Sequence, residues 1–377
     1  MRLDAERLEF AAAIEDFCRR ECGTVAQRDA LTENETHANS QVVLDKMAAL
    51  GWLGVSLPEE HGGGGAGFVT ECVFLEETAR GLAPVLAYST GLTAAQTYLK
   101  WGDDAQRKTI VGNIVAGRLE AIALSEPGTG SDLGAVRTRA VRDADGYVID
   151  GQKTWISAAH IAEHMLVLVR EEVTGSKHQG LTLLMVPTDT PGIEMREVRT
   201  MEARTCNDVF FTGVRVPAEA VVGAPGQGWR QLMRGLSVER MIIAATSIGA
   251  ARRSLEDAVA YMRQREAFGA PIASYQALRH RVADLATDIE VTRAFVYDVA
   301  QAIDDGREDA LARESAMAKL RATEIAKNTA LEAMQLMGGA GYAREYGMEF
   351  QVRKALAPPI YGGTNEIQRE IIAKSIF

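Results

Sequence analysis

One carboxylate in this 377-residue chain is placed where it could move a proton. Across residues 236–269 the apolar side chains Val238, Met241, Ala245, Ile248, Leu255, Val259 and Met262 recur at helical spacing, so the stretch reads as one long helix with a buried stripe. Glu239 lies off that stripe, and the residues one to three turns on are Ile242, Ile243, Thr246, Gly249 and Ala250, a small apolar surface. A carboxylate over such a surface loses water, which raises its pKa toward the range useful to a general base. The competing reading is an ordinary ion pair with Arg240 or with a neighbouring helix.

Shorter motifs carry weaker chemistry. LSEPGTGSD (124–132) packs Gly, Ser and Thr beside a strand end, where backbone N–H groups and hydroxyls can hold a flavin or a phosphate. The run from Gly128 through Gly130 to Gly134 departs from a dinucleotide fingerprint, because its third glycine comes one residue late and a strand pattern follows. His160-Ile-Ala-Glu163-His164 has the residue order of an inverted zinc site but sits between two strand-like stretches. Zinc ligation would need both histidines on one helix face, so a strand connection is expected and no metal. The glycine run 62–65 lacks the Lys-Ser/Thr of a phosphate loop and reads as a turn.

The elements that must position these residues fall into three regions, giving an α+β fold. Residues 1–118 are helical in pattern, with apolar periodicity over 8–17, 42–53 and 74–99; residues 119–226 change to strand period; residues 227–377 are helical again, over the long helix, 276–303, 311–337 and a last helix from about Asn365. The strands are EAIALSE, VRTRAVRD, YVIDGQKTWIS, HMLVLVRE, LTLLMVPTD and NDVFFTGVRVP, short and rich in β-branched and aromatic residues, with a hairpin turn at Asp145-Gly146. Strands without intervening helices imply a small antiparallel β domain between an N-terminal helical domain and a C-terminal domain like a four-helix bundle. A net charge of -10 excludes a general nucleic-acid binder. Four scattered cysteines exclude a disulfide framework and suit a reducing compartment. The first ten residues lack a targeting pattern and no apolar run spans a membrane, so a cytoplasmic location without membrane insertion is expected.

Five blocks in order, LSEPGTGSD (124–132), GQKTWIS (151–157), REAFG (265–269), QLMGGAGY (335–342) and IYGGTNEIQR (360–369), resemble the acyl-CoA dehydrogenase family along essentially the whole chain. The resemblance implies FAD wedged between domains and across a subunit contact in a homodimer or homotetramer. It implies α,β-dehydrogenation of an acyl-CoA thioester from fatty-acid or branched-chain metabolism, with electrons passed to an electron-transferring flavoprotein. Carried over residue by residue, Ile122, Leu124, Ser125, Gly130, Ser131, Trp155, Ile156 and Ser157 would face the flavin, Trp155 flanking its ring. Arg265, Phe268, Gln276, Gln335, Gly338 and Gly339 would meet the cofactor of a neighbouring subunit, Arg265 at its pyrophosphate. Thr364 and Glu366 complete the cofactor set. Ser131, Arg240, Tyr361 and Gly363 would touch the substrate.

The sequence departs from the family at Gly362. Many members resemble IYEGT and use that glutamate as base, whereas this chain reads Ile360-Tyr361-Gly362-Gly363-Thr364. In the isovaleryl-CoA and long-chain branches the base comes from the long helix, at a position matching Glu239. The resemblance leaves Gly362 a backbone role: its N–H, with a ribityl hydroxyl of FAD, would hold the thioester carbonyl. A missing side chain at Gly362 and a glycine at Gly249 suggest room for a branched acyl group. The Arg353-Lys354-Ala355-Leu356 and 201–207 segments also differ from common family wording, the first lacking a usual charge pair. Other readings are a flavoenzyme of this fold acting on a carrier-protein acyl group or a nitroalkane, and a non-catalytic partner subunit, against which Glu239 itself argues.

Overall fold

The computed structural model describes residues 3–172 and 175–377 and divides into two compact units. The first comprises the segment up to Leu31, Gly67–Pro84 and Ser237–Phe377. It is helical, built from Ala5–Glu21, Gly67–Arg80, the long helix from Ser237 onward, Gln276–Asp304, Ala312–Met337, Met348–Leu356 and Asn365–Lys374.

Gly67–Arg80 is buried along nearly its whole length, from Phe68 to Thr78. It carries Glu76, whose carboxylate is paired with Arg252, with Arg293 Nε at 2.7 Å and with the Tyr297 hydroxyl at 2.7 Å. The helix has no capping side chain of its own. Asp304 supplies one, accepting from the N–H of Phe68 at 2.5 Å and of Val69 at 3.0 Å.

The long helix runs Gly228–Gln264, starting earlier than the sequence pattern suggests and stopping before the REAFG block. That block turns back instead. Glu266–Ala267 pairs with Ala270–Pro271, and Phe268 and Gly269 both take positive φ, +51° and +83°, as a tight two-residue hairpin requires. The helical pattern over 74–99 is likewise two helices, broken where Leu82 turns to φ +55° just before Pro84.

The second unit comprises Thr32–Ala66 and Val85–Leu236. Helices Gln41–Ala49, Leu86–Trp101 and Asp104–Val115 precede a seven-stranded sheet: β1 Leu119–Ala123, β2 Arg139–Arg142, β3 Gly146–Ser157, β4 Ala162–Arg170, β5 Leu181–Pro187, β6 Ile193–Glu197 and β7 Cys206–Pro217. Alternate residues such as Ile149, Met165, Val167, Val186, Val209 and Val214 are fully buried and form its core. The β2–β3 hairpin turns at Asp143–Gly146 as expected. Most pairings are antiparallel, but β4 lies between β1 and β2 and pairs with both in parallel, the 124–138 connection carrying the chain from β1 past the place that β4 later fills.

Candidate active site

Glu239 sits in the first unit between the buried residues Val238 and Arg240. The ion pair that would make it a structural residue is absent: among the described residues its carboxylate forms no hydrogen bond or salt bridge. Burial pushes its pKa up from the usual carboxylate range, and the cations of Arg240 and Lys319 pull against that. Arg240 is itself buried, with no partner for its Nε.

Facing Glu239 is the turn that contains Gly362. A Cβ added to Gly362 would lie 3.5 Å from Glu239 Oε1, so the two positions from which the resemblance draws a base meet at one place. Gly362 and Gly363 have φ of +63° and +76°, a conformation open to glycine and costly for other residues. Their carbonyls are tied down. Gln368 Nε2 donates to Gly362 O at 3.1 Å and to Gly363 O at 2.9 Å, and Lys319 Nζ donates to Gly363 O at 2.9 Å. Lys319 also donates to Asn365 Oδ1 at 3.0 Å, and the N–H of Asn365 bonds Pro359 O at 2.9 Å. The N–H groups of Gly362 and Gly363 donate to nothing among the described residues. A carboxylate whose pKa burial raises, beside two N–H donors unused among the described residues, can take a proton while a nearby oxygen gains charge.

The expected extra room is not there. The same added Cβ would stand 2.3 Å from Ile243 Cδ1, so Ile243 fills the volume that a side chain at Gly362 would take. At Gly249 an added Cβ would come within 2.0 Å of the Glu76 carbonyl oxygen, so this glycine lets two helices cross closely and opens no pocket.

The other expected residues form separate groups. Tyr361 and Thr364 flank the turn, and Thr364 caps the last helix by accepting from Ile367 N at 3.3 Å, with Glu366 exposed in its first turn. Helices Gln276–Asp304 and Ala312–Met337 run antiparallel through Arg281 Nε to Glu332 Oε2 at 2.9 Å, which puts Gln276 and Gln335 at the same end. Gly338 and Gly339 follow there, exposed. Phe268, at the hairpin tip, is 99% exposed, and the neighbouring Arg265 guanidinium has no ion pair among the described residues.

In the second unit the sheet brings the 124–131 loop alongside Trp155, Ile156 and Ser157, through Thr154 N to Ser125 O at 3.0 Å. Trp155 is 59% exposed and held at φ +62°; Leu124, Ser125 and Ser157 are half-buried, and Gly130 and Ser131 exposed. Ile122 lies on β1, while the Ile156 side chain is buried in the sheet core and its carbonyl accepts from Asn207 Nδ2 at 3.0 Å. Within this unit, an exposed indole and the hydroxyls of Ser125, Ser131 and Ser157 form a set that suits a flavin ring system.

Sequence reasoning passed over what locks this loop. Lys153, fully buried, donates to Leu124 O and Glu126 Oε1, both at 2.9 Å, and Glu126 accepts from the N–H of Arg137 and Thr138, both at 2.8 Å. Burial draws Lys153 down to about 8 while Glu126 opposes it. Both residues lie inside the LSEPGTGSD and GQKTWIS blocks, and a Lys inside a strand pattern was the available signal. His160 and His164 turn to different partners, Asn207 at 3.1 Å and Glu120 Oε1 at 3.3 Å.

Three family models match in order: the acyl-CoA dehydrogenase N-terminal domain over 4–118, the middle domain over 121–214 and the C-terminal domain over 226–377. The chain belongs to the acyl-CoA dehydrogenase family. It is similar to a probable acyl-CoA dehydrogenase of Bacillus subtilis, 34% identical over 383 residues and covering 99% of this chain and 98% of that one. It is also similar to a caffeyl-CoA reductase–Etf complex subunit of Acetobacterium woodii, 32% identical and covering 95% and 94%. An acyl-CoA dehydrogenase from Geobacillus kaustophilus superposes with a TM-score of 0.92 at 31% identity, covering 99% and 98%. Members of this family are FAD-dependent oxidoreductases, and the acyl-CoA dehydrogenase fold accounts for the helix, sheet, helix order seen here.

Proposed function

We propose that this member oxidises the Cα–Cβ bond of an acyl-CoA thioester to the trans-2-enoyl-CoA, with Glu239 as the base. The observation that carries the reading is the Glu239 carboxylate, without a hydrogen bond or ion pair among the described residues, facing a turn whose N–H groups donate to none of them. Glu239, ionised, takes the proton from Cα. The thioester oxygen, which gains negative charge as that proton leaves, accepts from Gly362 N–H. Buried Arg240 adds positive charge to the same surround. FAD, when bound, supplies the acceptor for the hydride leaving Cβ. Trp155, Ser125, Ser131 and Ser157 would hold its ring system, and Arg265 with Phe268, Gln276 and Gln335 would serve the cofactor of a second copy.

The nearly complete exposure of Phe268 and the exposure of Tyr342 favour such an oligomer, since large apolar side chains so placed usually meet a partner. An electron-transferring flavoprotein is the proposed acceptor, in keeping with the Etf complex to which the Acetobacterium woodii relative belongs. The test is anaerobic mixing of the purified protein with a panel of acyl-CoAs while flavin absorbance is followed. Bleaching by one or more thioesters supports the reading; a flavin that no acyl-CoA reduces sinks it.

A further inference from the structure

Lys319 is fully buried, and its ammonium has two neutral acceptors, Gly363 O and Asn365 Oδ1, and no ion pair among the described residues. Thr323 donates to the same Asn365 oxygen at 3.1 Å, and Gln368 already donates to Gly363 O. A neutral amide thus does part of the same tethering, so a cation here needs another reason, because burying one without a counter-charge is costly. The charged groups that act on it are Glu239, Arg240 and Glu366. Glu239 lies across the turn that Lys319 holds.

We propose that Lys319 is a positioning residue for the dehydrogenation: it pins the Gly363 carbonyl so that the Gly362 and Gly363 N–H groups stay presented to the thioester oxygen, and it keeps a positive charge beside the Glu239 base. The inference rests on the function proposed above. Two consecutive left-handed residues define a turn with little steric hold of its own, so its aim depends on what grips its carbonyls. Burial holds the Lys319 pKa down at about 8, with Glu239 drawing it up, which agrees with a charge kept for its effect on the carboxylate.

Three variants separate the two roles: Lys319→Met removes donor and charge, Lys319→Gln keeps a donor, and Lys319→Arg keeps both. The readouts are amide hydrogen exchange across 360–368, with the Asn365 N–H as reporter, and the rate of flavin reduction per bound FAD as a function of pH. For Lys319→Met the expectation is faster exchange and a rate about 100-fold lower. For Lys319→Gln it is near-native exchange with the rising limb of the profile about one unit higher in pH, since a lost neighbouring cation raises the carboxylate pKa. Lys319→Arg should recover most of both.

Native exchange and a native pH profile in Lys319→Met overturn the proposal. So does a loss confined to FAD content or melting temperature with the rate per flavin unchanged, the mark of a purely structural lysine. If Lys319→Met does not fold, the pH limb of Lys319→Gln decides. A wild-type flavin that no acyl-CoA reduces overturns the parent reading instead, and the catalytic role of Lys319 falls with it whatever the exchange shows.

Discussion

Glu239 and Gly362 face each other closely enough that a side chain at the glycine would begin 3.5 Å from the carboxylate, yet Ile243 Cδ1 already fills that space. Glu239→Gln should therefore keep FAD and bind acyl-CoA while flavin reduction falls about 10²- to 10⁴-fold. Moving the carboxylate across, as Glu239→Gln with Gly362→Glu, should fail alone, because the new Cβ meets Ile243 and the φ of +63° is strained. Adding Ile243→Ala should restore part of the rate. Stopped-flow traces of the three variants decide the matter; wild-type reduction by Glu239→Gln would remove the assignment.

The pH dependence follows from the same surround. Burial raises the Glu239 pKa, and the base works only when ionised, so the reduction rate should climb with pH along a limb lying above the ordinary glutamate value of about 4.3. A limb at or below that value would mean another group takes the proton.

Gly249 and Glu76 make a packing prediction. Gly249→Ala places a methyl 2.0 Å from a backbone oxygen that cannot swing aside, so the crossing must open at a cost of about 1–3 kcal/mol or more. Urea unfolding of the variant checks this. An unchanged midpoint would show that the two helices separate freely.

Arg265 is exposed and has no ion pair among the described residues, as a residue awaiting a phosphate would be. Arg265→Ala should weaken FAD retention by about 1.5–3 kcal/mol, the worth of a charge-assisted hydrogen bond. The absorbance ratio of flavin to protein after dialysis measures it, and full retention would count against this contact.

What could be read from the chain depended on whether the signal was local. The core strands declared themselves because one face of each is buried, as at Ile149 and Val209. Strand β6, Ile-Glu-Met-Arg-Glu, did not, since it pairs only with β7 and none of its residues is fully buried. The helix Met348–Leu356 was hidden by charge, its Glu349–Arg353 pair at 2.7 Å reading as solvated chain. Glu239 was legible because its apolar neighbours follow within the same helix. Lys319 and Gln368 were not, because what they hold is a pair of backbone carbonyls, and Lys319 reaches them across 44 residues of sequence. The room expected at Gly362 failed for a related reason: the occupant, Ile243, belongs to a distant segment.

Asp304 caps the helix Gly67–Arg80 from 236 residues away, and the partners of Glu76 are Arg252, Arg293 and Tyr297. A chain emerging from the ribosome therefore makes this segment long before the groups that complete it exist. Its inward-facing Glu76 has no counter-charge until Arg252 and Arg293 are made, and its first N–H groups stay uncapped until Asp304 is. The first helical unit should then form late, by non-local contacts, and a product cut short before Arg252 should expose an apolar helix with neither cap nor counter-charge, of the kind that chaperones bind.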